Sequence, residues 1–206
     1  MNFLCVSAPL RLCVESGSLA GLILAGGEGS RFGGPKAWAL LPDGRTFLEA
    51  CTASLRSGGA APVVATLPPG SDDPQIEGLE VVPLPEPDLD MFASLQIGVQ
   101  QLAGKAEWSQ VALLPVDHPL VQPETIAALA RSESSAAIPR HRGKHGHPVI
   151  IGRATAEMIA SGELPGPTLR EVLREIGAVD VEVNDPGAVA NCNTPGALAR
   201  ALAVLE

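Results

Sequence analysis

The sequence predicts an α/β fold: a mainly parallel sheet with helices on both faces. Three observations lead there. Short apolar runs alternate with helical patterns from residue 19 onward, which is the order of a βαβα chain. The first run leads into a glycine-rich loop, "LAGLILAGGEGSRFGGPKA" (19–37). Another run ends on a carboxylate, "QVALLPVD" (110–117). In such sheets ligands gather at the carboxyl ends of the strands, and both features fall on that edge.

The elements follow in order. "LAGLILA" (19–25) reads as a buried strand. "RTFLEACTASLRS" (45–57) reads as a helix with Phe47, Leu48, Cys51 and Leu55 on one face and Gly58-Gly59 as its stop. "APVVATL" (61–67) and "LEVVPL" (79–84) are strands, and "MFASLQIGVQQLA" (91–103) is a helix with Phe92, Leu95, Val99 and Leu102 apolar. "QVALLPV" (110–116) is a third buried strand. "QPETIAALAR" (122–131) opens a helix with Pro123 in its first turn and Glu124 beside it, which suits the helix dipole. "AAIPR" (136–140) and "GHPVIIG" (146–152) are strand-like and bracket a basic loop. "TLREVLREIG" (168–177) is a helix, "VDVEV" (179–183) a strand and "TPGALARALAVLE" (194–206) a closing helix. The Pro-rich stretches at 68–74 and 83–90 read as surface loops.

Length and charge narrow the class. A chain of 206 residues fits one domain, placed at 19–206, with a core large enough to need no disulfide or metal staple. The net charge of −9 argues against binding nucleic acid or an anionic membrane, yet leaves room for a small phosphate ligand. Cys5, Cys13, Cys51 and Cys192 form no CxxC pair, so reduced thiols and a cytoplasmic location are expected. No run approaches the roughly 18 apolar residues of a membrane span. Residues 1–18 lack the basic start of a signal peptide, and Arg11 interrupts their apolar part; they read as a loose, disordered extension or an upstream-start artefact.

The glycine loop fails two familiar tests. Pro35 and Lys36 follow Gly34 where a Walker A loop needs Lys and Ser/Thr, and Phe32 stands where GxGxxG needs its third glycine. The second failure also counts against a nicotinamide-dependent oxidoreductase. The loop still has phosphate-binding logic. Gly26, Gly27 and Gly29 let backbone N–H groups approach a ligand. Arg31 can grip phosphate oxygens as a planar fork, and Lys36 can deliver a point charge. An ordinary glycine-rich turn remains the plain alternative. Asp117 ends an apolar strand beside this loop, a costly place for a carboxylate unless it is paired or bound to metal; a Mg²⁺ ligand or a turn cap would each explain it. "RHRGKHGHP" (140–148) gathers Arg140, Arg142, Lys144 and three histidines. A clamp for an acceptor phosphate, including Arg142, a solvated loop and a zinc site are all readings of it, the last without ligand spacing to support it.

The loop resembles the signature, roughly LA[AG]GxSxRFGxPK, of the MobA-like nucleotidyltransferases, which include molybdenum cofactor guanylyl- and cytidylyltransferases. Other segments are similar to that family's: "DLDMFASLQIGV" (88–99), "LLPVDHPLV" (113–121), "GHPVIIGR" (146–153) and "NCNTPGAL" (191–198). The resemblance spans about residues 20 to 202. It implies a three-layer α/β/α, Rossmann-like sheet of the nucleotide-diphospho-sugar transferase type. It implies transfer of a nucleotidyl group from an NTP to a phosphorylated acceptor, with release of pyrophosphate. Arg31, Lys36 and Asp117 would then be catalytic; Leu24, Ala25, Gly26, Gly27, Gly29 and Ser94 would bind the nucleotide. Asp117 and Asn193 (or Asn191) would hold Mg²⁺, although Asn193 could equally cap the last helix. His147 would shape the acceptor site beside Arg142. "LAGG" and "NCNTP" resemble the guanylyl branch, and the middle segments the cytidylyl branch. GTP or CTP is therefore the expected donor and molybdopterin the expected acceptor, with transient contact to a cofactor-accepting enzyme. The 161–168 stretch lacks the GDxG of the cytidylyl branch. A sugar-phosphate nucleotidyltransferase, or a nucleotide-binding chaperone without turnover, is the competing reading.

Overall fold

The computed structural model describes residues 18–27, 29, 32, 34–87, 89–105, 108–132, 134–163 and 168–205. The extension at 1–17 and the loop residue Arg31 lie outside this set. The strands are β1 (Leu19–Leu24), β2 (Ala60–Leu67), β3 (Leu79–Pro83), β4 (Gln110–Pro115), β5 (Ala136–His141), β6 (Lys144–His145), β7 (Val149–Gly152) and β8 (Val179–Glu182). The helices are α1 (Phe47–Ser57), α2 (Met91–Ala103), α3 (Pro123–Ala130), α4 (Arg153–Ser161), α5 (Leu169–Glu175) and α6 (Pro195–Leu205). Short 3₁₀ turns occupy Lys36–Trp38 and Pro186–Val189.

These eight strands form one mixed sheet in the order β3-β2-β1-β4-β7-β5-β6, with β8 paired to β5. The first half is parallel: β1 lies between β2 and β4, and β3 pairs with β2. The second half reverses. β7 enters antiparallel between β4 and β5, and only the outer pair β5–β8 is parallel again. Sequence order alone suggested more parallel pairing than this, because β7 returns from the β5–β6 hairpin and not from a helical crossover. Pairing of β4 with β7 stops at Leu113 and Val149.

Strand alternation sorts the core into two layers. Ile23, Ala65 and Leu114 pack under α1, α3 and α6. Leu22, Leu24 and Leu113 pack under α2, α4 and α5. This is the period-2 division expected of strands covered on both faces. Helix starts are fixed locally. Thr46 and Glu49 form a capping box on α1. Asp90 accepts from Phe92 N and Ala93 N at the start of α2. Helix α4 was not foreseen, since Gly152 at its start supplies no side-chain cap. Gln96 and Gln100 of α2 donate to the carbonyls of Ile159 and Ala160, each at 3.0 Å, and hold the end of α4 in place. No helix among the described residues is long and apolar enough to cross a membrane.

Candidate active site

β1 and β4 lie side by side and end together, with Leu24 opposite Pro115. Their carboxyl ends open into a cleft of about 280 Å³ lined by Leu24, Ala25, Gly27, Gly29, Lys36, Met91, Pro115, Val116, Asp117 and Asn193. The predicted loop, carboxylate and amide therefore share one cavity.

Each arrives by a different route. Gly29 has φ +63°, and a Cβ there would collide with the Gly34 carbonyl. Its own carbonyl accepts from Phe32 N at 2.7 Å. Phe32 packs edge-on against Phe47 of α1, centroids 5.4 Å apart, which anchors this part of the loop to the core. Ala37 is buried and sets the adjacent Lys36 at the cleft. Asp117 follows β4 directly. Its backbone carbonyl accepts from Cys192 N at 2.8 Å, which ties the 191–193 segment alongside it.

The side chains meet. Lys36 Nζ donates to Asn193 Oδ1 and lies 3.4 Å from Asp117 Oδ2. Asn191 Nδ2 donates to the same Asp117 oxygen at 3.3 Å. Asn193 is thus the amide whose oxygen faces the carboxylate across the cleft. The helix-cap alternative falls to its neighbour, since Thr194 Oγ1 accepts from Ala197 N at 3.1 Å. Two hard oxygens, one of them charged, suit Mg²⁺ or Mn²⁺, which complete their shells with phosphate and water. They are too few for a metal held by protein alone. No group of three or more His, Cys, Asp or Glu able to hold a metal occurs among the described residues.

Gly26, Ser94, Arg142 and His147 are not among the residues lining the cleft. A Cβ on Gly26 would collide with Leu84, so this glycine permits a close packing contact. Ser94 is buried, and its hydroxyl donates to the Asp90 carbonyl within α2. Ala25 N is taken by the Thr66 carbonyl at 3.1 Å. Arg142, with φ +49°, stands exposed at the tip of the β5–β6 hairpin, which projects from the same sheet edge. His147 turns inward and packs edge-on against His118, centroids 4.7 Å apart. Both Nδ1 atoms are buried without a hydrogen-bond partner. Burial, reinforced by the neighbouring His118, pushes the His147 pKa down to about 4. Burial also lowers that of His118, against the pull of Asp117.

Acidic residues of β8 face part of the basic loop. Arg140 lies 3.7 Å from Asp180 and 3.6 Å from Glu182, and His145 lies 2.9 Å from Asp180. His141 Nδ1 meets the Val183 carbonyl instead. The three histidines of the loop thus point to separate partners, which rules out a shared zinc site.

Sequence reasoning missed Asp185. Its carboxylate is buried and accepts from Gln122 N, Thr125 Oγ1 and Gly187 N at 2.8–2.9 Å. It joins the segment after Asp117 to the turn before Asn191. Asp followed by Pro186 was the available signal, an N-cap followed by proline in the first turn.

This fold and cleft are those of a nucleotidyltransferase. The sequence pattern of the MobA-like NTP transferase domain matches residues 21–180, and the chain belongs to that family. No curated protein matches it in sequence. Among solved structures, it is similar to Rv0371c from Mycobacterium tuberculosis H37Rv, with a TM-score of 0.72 at 21% identity over 91% of this chain and 98% of that one. It also resembles molybdopterin-guanine dinucleotide biosynthesis protein A from Archaeoglobus fulgidus (0.64, 19%, 90% and 98%). A third similar structure is 2-C-methyl-D-erythritol 4-phosphate cytidylyltransferase from Thermus thermophilus (0.66, 21%, 90% and 98%). At these identities the likenesses establish the fold.

Proposed function

We propose that this nucleotidyltransferase moves a nucleoside monophosphate from GTP or CTP to a phosphorylated small molecule, molybdopterin, and releases pyrophosphate. The observation that carries the reading is the meeting of Lys36, Asp117 and Asn193 in one cleft beside the glycine loop. An oxygen of the acceptor phosphate attacks the α-phosphorus. A new P–O bond forms, the bond from the α-phosphorus to the bridging oxygen breaks, and pyrophosphate departs with the electron pair. The acceptor phosphate is already ionised, so no general base is needed. Positioning and charge neutralisation carry the catalysis.

Backbone groups from Leu24 to Gly29 cradle the nucleotide in this reading, with Ser94 behind them. Lys36 and Arg31 hold the triphosphate and the leaving pyrophosphate. A divalent cation on Asp117 and Asn193 would supply positive charge at the reacting phosphates. His147 backs the acceptor side, and Arg142 on the projecting hairpin meets the acceptor's anionic end. The similar structures support the parts: a molybdopterin-guanine dinucleotide biosynthesis protein, a cytidylyltransferase named for a sugar-alcohol phosphate, and Rv0371c in complex with manganese.

The test is pyrophosphate release from each NTP with Mg²⁺ or Mn²⁺ and either molybdopterin or sugar phosphates. Release with molybdopterin and GTP or CTP is expected. Release with sugar phosphates alone would replace the acceptor. Asp117→Ala is expected to slow release by on the order of 10²–10³-fold with an unchanged melting curve.

A further inference from the structure

Lys36 touches the two oxygens assigned above to a cation. Its ammonium donates to Asn193 Oδ1 and sits 3.4 Å from Asp117 Oδ2. A divalent ion must lie within about 2.0–2.6 Å of its oxygen ligands. An ammonium and a divalent ion cannot both stand between the same oxygens, since like charges that close repel strongly. Lys36 and Asp117 are also the sole charged residues lining the cleft among the described residues, so the ammonium balances the carboxylate.

We propose that Lys36 is an exchangeable counter-ion at the cation seat, and that nucleotide phosphates must draw it away before a divalent ion can take Asp117 and Asn193. This rests on the reading of those two residues as ligands. The exchange needs only side-chain motion. Trp38 N donates to the Pro35 carbonyl and Ala39 N to the Lys36 carbonyl, so the backbone around Lys36 is held. The side chain retains 22% of its exposure and four rotatable carbons. Its new partner lies in the same cleft, because Gly27 and Gly29 line the wall where a triphosphate would be cradled. Lys36 would therefore serve twice: it keeps a bare cation out, then binds the phosphates that bring the cation in. Cation and nucleotide binding become positively coupled through one side chain.

The test measures Mn²⁺ alone, by the paramagnetic resonance signal of the free ion, against wild type, Lys36→Met, Lys36→Gln, Asp117→Asn and the Lys36→Met/Asp117→Asn pair. Melting curves accompany each, and the two Lys36 variants guard against an idiosyncratic substitution. The expected result is Mn²⁺ affinity roughly two- to fivefold tighter in both Lys36 variants, the scale of losing one partly exposed competing charge. The gain should vanish in the double variant. Lys36 variants that bind Mn²⁺ no more tightly than wild type, while Asp117→Asn weakens it, would overturn the exchange and leave the ligand assignment standing. If Asp117→Asn changes Mn²⁺ binding in neither background, the ligand assignment falls and the exchange with it.

Discussion

Asp117 and His147 show how differently the sequence exposes residues proposed for a role. Asp117 was legible because a carboxylate at the end of an apolar strand has few reasons to be there, and its motif neighbours agree. His147 was visible as a histidine, but its surroundings were not. Its inward turn onto His118 depends on contacts between the start of β7 and the segment after β4, which no local pattern encodes. That burial has a measurable consequence. The folded His147 pKa is about 4, below the free value near 6.5. The unfolded chain therefore takes up the proton first as pH falls. Stability is whole above about pH 6.5 and declines toward pH 4, with His147 contributing on the order of 3 kcal/mol to the loss. Urea midpoints measured across that range should fall in wild type and fall less steeply in His147→Gln. Equal slopes would show that the ring takes its proton without cost.

At the scale of elements, hydrophobic period and caps were enough for most of the chain. Helix α2 matches its expected span because Asp90 caps it and its apolar positions recur regularly. Helix α4 was missed because its inward residues include Thr155 and Ala156, a weak stripe behind an uncapped start. The partner of β7 was also hidden, since strand sequence does not name the neighbouring strand. Asp185 acts at this scale by fixing one segment to another. Asp185→Ala would leave Gln122 N, Gly187 N and the Thr125 hydroxyl without their acceptor. A loss of about 2–4 kcal/mol is expected in denaturant melts. Because the turn it caps leads to Asn191 and Asn193, turnover in the fraction that remains folded should also fall. Asp185→Asn, which keeps an acceptor oxygen, should recover part of both.

Across the whole molecule, the parallel half was foreseen and the antiparallel half was not, yet the candidate cleft lies next to their junction. β1 and β4 occupy the middle of the sheet and are covered on both faces, whereas β3 and β6 lie at its ends. Amide hydrogen exchange should be slowest in β1 and β4 and fastest in β6, with β3 intermediate. Fast exchange in β1 would contradict the placement of the core. The stop in pairing between β4 and β7 follows from the residues that come next. Continuing the antiparallel register beyond Leu113 and Val149 would bring Leu114 opposite Pro148 and Pro115 opposite His147. Proline has no amide hydrogen to give, so Pro115 cannot supply the rung facing His147, whose own N donates to the Ala188 carbonyl instead. β4 and β7 are free to diverge just short of the rim, and the gap between them is where Asp117, His118 and His147 are seated.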